Sequence, residues 1–145
     1  MKHHLFITAT AILLASCGGA GTESEGSSKT PTITMEKTVL YIQGKEGGST
    51  TVYKEEMPFR IKNIGDGVYI SAKNNSPKLI ERVYLPIVSM SSESTVTIYA
   101  AQPYYTGLKK GTYQGTITLS LCEDNDCLKP ISNSEKIINI VYDVL

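Results

Sequence analysis

Tryptophan is absent from this chain of 145 residues, phenylalanine and histidine occur twice each, and cysteine three times. Long apolar runs are lacking too. Leu5 to Leu14 is apolar apart from Thr8 and Thr10, which is too short to span a bilayer as a stable helix. With the basic opening Met1-Lys2-His3-His4 before it and small residues after it, the run has the pattern of a secretory signal and is set aside from the fold. Cleavage there removes Lys2 and both histidines, so the fourteen Lys and Arg side chains become thirteen, against fourteen Asp and Glu. A chain without histidine cannot build Ser-His-Asp or Cys-His catalysis, nor the usual zinc sites with histidine ligands. The near-neutral balance argues against nucleic acid as a partner, because phosphate binding rests on many Lys and Arg contacts.

The run ends in Leu14-Ala15-Ser16-Cys17, which resembles the lipobox of bacterial lipoproteins: an aliphatic residue, two small residues and the cysteine to be modified. The resemblance implies a diacylglyceryl group on the Cys17 sulfur, cleavage before Cys17, and a palmitate-type acyl chain on the new amino group. Several acyl chains, at about 0.8 kcal/mol per buried methylene, anchor a protein to the membrane without spanning it. Gly18 stands where the family's inner-membrane retention signal has Asp, so the resemblance implies the outer membrane, on its periplasmic or its surface face. The alternative is ordinary signal cleavage near this point, with Cys17 left as an incidental thiol.

Residues 18–31, GGAGTESEGSSKTP, have no apolar period and too little apolar surface to offset their ordering entropy. The expected organisation is a signal peptide over 1–16, a lipidated flexible tether over 17–31, and one compact domain over 32–145.

Beyond Pro31, short strand-like segments alternate with turn chemistry, and no long stretch has helical period. Thr38 to Ile42 is followed by a glycine-rich break and by Ser49 to Tyr53, as a first hairpin or adjacent strands. Pro58 to Ile64 precedes the turn Gly65-Asp66-Gly67 and the segment Val68 to Ala72, and Asn74-Asn75-Ser76-Pro77 marks a loop. Pro86, within Leu79 to Met90, suits an edge strand or a bend. Farther on, alternation places Val96, Ile98 and Ala100 on one face, opposite Thr95, Thr97 and Tyr99. It places Ile117, Leu119 and Leu121 opposite Thr116, Thr118 and Ser120, and gathers Ile138, Ile140, Tyr142 and Val144 on one side. About seven or eight short strands without helices predict an all-β protein, an antiparallel β-sandwich.

Between two of these strands lies Leu108-Lys109-Lys110-Gly111-Thr112-Tyr113. A leucine, a glycine three residues on and a tyrosine two after that resemble the tyrosine corner of immunoglobulin-like folds. The resemblance implies that Gly111 supplies the turn, that the Tyr113 ring fills the core edge, and that its hydroxyl bonds upstream backbone. The longer string Leu108 to Leu121, LKKGTYQGTITLSL, is similar to a strand of bacterial immunoglobulin-like modules of the BACON kind, which occur in surface and secreted proteins. The antibody hallmarks, a Trp and a cysteine pair bridging the sheets, are missing, so the expectation is a generic immunoglobulin-like sandwich.

With Cys17 given to lipid, Cys122 and Cys127 remain, in a compartment where disulfides persist. In LCEDNDC, Cys122 shares the outward parity of Thr118 and Ser120, and a bridge to Cys127 would close the end of a hairpin or a bulged loop. For so small a loop the chain-entropy estimate is about 2 kcal/mol. Redox catalysis usually needs CxxC beside a helix, and zinc needs more soft ligands. Glu123, Asp124 and Asp126 are hard oxygen donors and keep calcium open as a minor alternative, although EF-hand spacing is absent. No cofactor is expected.

Nine tyrosines suit a surface that binds sugars or proteins. The candidate cluster is the loop Gln102 to Gly107, with Tyr104 and Tyr105, joined by Tyr99 on the polar face of the preceding strand. The alternative is that one of the pair caps the core and the other sits singly on the surface. Glu55 and Glu56 are adjacent, but neighbours along a strand point to opposite faces, and no convergent groups suggest an enzyme. Two non-catalytic functions follow. One is a lipid-anchored cell-envelope module for binding or adhesion to a glycan or protein ligand. The other is a structural or assembly lipoprotein that docks an envelope complex through an exposed strand edge.

Overall fold

The computed structural model describes residues 29–47, 51–85 and 93–145. The expected signal sequence, Cys17, the expected tether up to residue 28, and Pro86 lie outside the described residues. In chain order the elements are β1 (Thr32–Thr34), β2 (Val39–Gly44), β3 (Lys54–Lys62), β4 (Tyr69–Asn74), β5 (Ile80–Tyr84), β6 (Glu93–Ala100), α1 (Pro103–Thr106), β7 (Gly111–Cys122) and β8 (Lys136–Val144). One sheet has the order β1-β3-β6-β5 and the other β2-β8-β7-β4. This is the immunoglobulin-like sandwich arrangement, with the first strand split into two pieces that serve opposite sheets.

Alternation along the strands produces the core. Val96, Ile98, Ile117, Leu119, Leu121, Ile138 and Tyr142 lose all exposure, and Met57, Phe59 and Ile61 meet them from β3. Each large apolar side chain so buried contributes about 1.5–3 kcal/mol.

Three local expectations change. The sandwich is not wholly antiparallel, because β2 pairs with β8 in parallel from Val39–Asn139 to Gly44–Val144. The chain leaves β1 in one sheet, crosses over Met35 to Thr38 and continues in the same direction along the other. For that reason β2 and β3 form no hairpin, and Thr51 to Tyr53 lie outside any strand. Tyr53 instead accepts the Lys45 N–H on its hydroxyl at 3.0 Å. The expected turn forms at Asp66-Gly67 and joins strands of different sheets.

Pro58 lies inside β3, which is flanked by β1 and β6. Its missing donor is tolerated because pairing with β1 ends at Thr34–Arg60. Alternate residues of a strand address the same neighbour, so Pro58 faces the side that β1 has already left.

β3 runs from Lys54, beside Tyr99, to Lys62, beside Thr32. The start of β1 and the β6–β7 connection therefore occupy opposite ends of the sandwich, about 26 Å apart along a strand of this length.

Candidate functional site

At the end away from Thr32, a one-turn helix replaces the expected loop. Pro103 stands at its start, where a helix has no use for the missing N–H. Gly107, with φ 70, closes it in the left-handed conformation and donates its N–H to the Pro103 carbonyl at 2.8 Å. Thr106 Oγ1 adds a hydrogen bond to the Gln102 carbonyl at 2.9 Å. Pro103 is buried, whereas Tyr104 and Tyr105 are 62% and 72% exposed. Neither ring caps the core. They meet edge to face, with centroids 5.1 Å apart and planes at 85°.

The turn leads into a clamped corner. The Tyr113 hydroxyl donates to the Lys109 carbonyl at 2.8 Å and accepts the Lys109 N–H at 3.2 Å. Gly111 has φ 152, a conformation that resists a side chain, and Leu108 packs half-buried against the core. Across from it, the Glu46 carboxylate accepts the Lys110 N–H at 3.0 Å and faces the Lys109 ammonium at 3.3 Å. The Lys110 N–H foremost, and then Lys109, hold the Glu46 carboxyl below its ordinary range. The end of β2 is thereby tied to the chain that carries the tyrosine pair.

Tyr99 has a different partner. The Arg82 guanidinium lies 4.4 Å from its ring centroid on the outer face of the first sheet, a contact that contributes about 0.5–1 kcal/mol at exposed sites. A register shift between Ile80 and Arg82 brings Arg82 opposite Tyr99. Without it, Glu81 would take that place. Tyr41 and Tyr84, 67% and 58% exposed, were not singled out in the sequence, although strand alternation puts both on outward positions.

The cysteines lie at the other end, where β7 finishes. Cys122 and Cys127 form a disulfide with Cα atoms 5.1 Å apart. Despite its outward parity Cys122 is fully buried, because the following chain folds back over it. Glu123 N–H reaches Lys129 O at 2.9 Å, Ile131 N–H reaches Leu121 O at 2.8 Å, and Cys122 bridges Pro130. Buried Ser134 secures the fold-back by accepting the Leu121 N–H at 3.0 Å and donating to Ile131 O at 2.7 Å.

The three acidic residues of this loop do not converge as a calcium site would require. Asp124 Oδ1 accepts the Lys129 N–H at 3.2 Å, and Glu123 and Asp126 are exposed. Among the described residues no three His, Cys, Asp or Glu side chains are placed to hold a metal ion. Glu55 and Glu56 are exposed too, and Glu56 faces Lys54 at 3.5 Å. Among the described residues no helix is long and apolar enough to cross a membrane.

No protein-family model matches the chain, and no curated protein does. Among solved structures, the chain is similar to the CooA pilin subunit from enterotoxigenic Escherichia coli, with TM-score 0.46 and 16% identity over 80% of this chain and 99% of that one. It is also similar to PapD-like domain 7 of human CEP192, with TM-score 0.42 and 10% identity over 98% and 97%. A third similarity is to the N-terminal domain of PorA, with TM-score 0.36 and 10% identity over 79% and 96%. The fold assignment rests on the strand order and pairing themselves: this chain is an immunoglobulin-like β-sandwich.

Proposed function

We propose that the protein is a non-catalytic binding module of the cell envelope, held by lipid on Cys17, that meets a glycan or protein ligand with the Tyr104–Tyr105 turn. The observation that carries this reading is the exposure of both rings on a turn closed by Gly107 and followed by the Tyr113 corner. Binding aromatics work best when little entropy is lost on contact, and tyrosine on a rigid support meets that condition. Position supports the reading as well. The pair stands at the end opposite Thr32, so a tether leading back to a lipidated Cys17 leaves it on the side away from the membrane.

The test is binding of the full chain to an array of envelope and host glycans, alongside capture of envelope proteins, with Tyr104→Ala and Tyr105→Ala separately and together. Tyr84→Ala serves as the control for losing an exposed ring. Loss in the turn variants at unchanged melting temperature, with the control still binding, is the expected result. A ligand held equally well by the double variant sinks the proposal.

A further inference from the structure

Among the described residues four strands end the two sheets, β1, β5, β2 and β4, and they differ in how they are guarded. Shortness, bulges and charged side chains keep an edge from recruiting another strand. β1 has three residues, β5 carries Glu81, Arg82 and a register shift, and β4 carries Lys73. β2, Val39-Leu40-Tyr41-Ile42-Gln43-Gly44, has no charge, no proline and an unbroken register with β8. The carbonyls of Thr38 and Gly44 accept from Asn139 and Leu145, so the even positions face β8. By strand parity Val39, Tyr41 and Gln43 turn their N–H and C=O groups outward, and among the described residues no strand pairs with them.

Beside this edge, among the described residues, β3 leaves its first half unpaired on the side away from β6, because β1 reaches only Arg60 to Lys62. A groove of about 690 Å³ separates the two, lined by Tyr41, Met57 and Pro58 together with Glu36, Glu55 and Glu56, with Lys37 as the sole cation in its lining among the described residues. Lys54 faces Glu56 at 3.5 Å, and Glu36 and Glu55 have no ion pair among the described residues.

We infer that the β2 edge docks one extended segment of a partner protein, with apolar and basic side chains alternating, as an added strand of the second sheet. The backbone groups of Val39, Tyr41 and Gln43 supply the pairing. Successive side chains of an added strand point to opposite faces, so one set meets the acidic and apolar groove that Tyr41 helps to line and the other faces away from it. A second copy of β2 fits less well, because two-fold pairing brings two acidic grooves together. This site stands independently of the tyrosine turn.

The test uses the full chain and labelled peptides of about ten residues, long enough to match the edge, alternating lysine with valine or glutamate with valine. Fluorescence anisotropy reads affinity, and amide exchange reads the site. The lysine peptide is expected to bind at least about tenfold more tightly and to slow exchange at Val39, Tyr41 and Gln43. Tyr41→Pro, which removes one outward N–H and leaves the β8 ladder alone, should abolish binding. Should that variant fail to fold, Glu55→Lys with Glu56→Lys decides the matter, since it should reverse the preference between the peptides. Equal binding of both peptides, or binding without protection of those three amides, overturns the inference. Protection that grows with the concentration of the chain alone assigns the edge to a second copy and overturns it too.

Discussion

The backbone of Gly44 lies against the hydroxyl end of the Tyr142 ring. A Cβ on Gly44 would collide with Tyr142 Oη and fall 2.8 Å from Cε2. That hydroxyl donates to the Ala101 carbonyl at 3.0 Å, so one buried ring joins β2 and β8 to the end of β6. Glycine is required here by the close approach of the ring.

Gly44→Ala should therefore destabilise the domain by about 1–3 kcal/mol through overpacking. Gly65 has nothing within 4 Å of an added Cβ and no positive φ, so Gly65→Ala should stay within about 0.5 kcal/mol. Urea unfolding of the two variants checks the contrast, and equal midpoints would refute it.

Tyr142 also sets an alkaline limit. Burial first, and then neighbouring Tyr53, push its pKa from 10.0 up to about 12. In that window the unfolded phenol has lost its proton while the folded one keeps it, so stability is intact below the unfolded value and falls as pH rises toward the folded one. Tyr142→Phe should flatten this fall while losing the bond to Ala101. Unfolding curves at several alkaline pH values read the slope, and identical slopes for the two proteins would dismiss the role of Tyr142.

At the corner, Tyr113→Phe removes two hydrogen bonds to Lys109 whose backbone groups are exposed. Water can replace the hydroxyl, so the expected loss is about 1 kcal/mol and not the larger penalty of an unsatisfied buried group. Chemical denaturation measures it.

The disulfide predicts an asymmetry. Cys127→Ser opens a small loop and leaves the Cys122 thiol buried, which a free cysteine tolerates as a small apolar group, for about 2 kcal/mol. Cys122→Ser buries a hydroxyl at the same fully enclosed position and should lower the melting temperature further. A reversed order of the two would show that Cys122 is not enclosed.

If the proposed anchoring holds, Cys17→Ser should move the protein from the membrane fraction to the soluble fraction and abolish incorporation of labelled palmitate. Continued labelling would place the lipid elsewhere.

Alternation along β6, β7 and β8 made the core legible in the sequence, because a half-buried strand must show apolar residues at a period of two. Gly115 was visible within LKKGTYQGTITLSL, but its reason was not. Ser76, upstream in the inter-sheet connection, comes so near that a Cβ on Gly115 would sit 2.8 Å from Ser76 Cβ, and Ser76 Oγ accepts the Thr116 N–H at 2.9 Å. Parity failed for Cys122 for a similar reason: it states which way a side chain points, and the returning chain around Pro130 decided what covers it.

By itself the sequence determined that this is an all-β domain, which faces of its later strands are apolar, and which residues stand at the corner, since these follow from local period and turn chemistry. Tertiary structure alone decided that β2 runs parallel to β8 with a bare outer edge, that Tyr99 stacks with Arg82 apart from the tyrosine turn, and that the turn and the disulfide occupy opposite ends. A strand's own pattern names its buried side. Which sheet it joins depends on groups that meet only when the two sheets close.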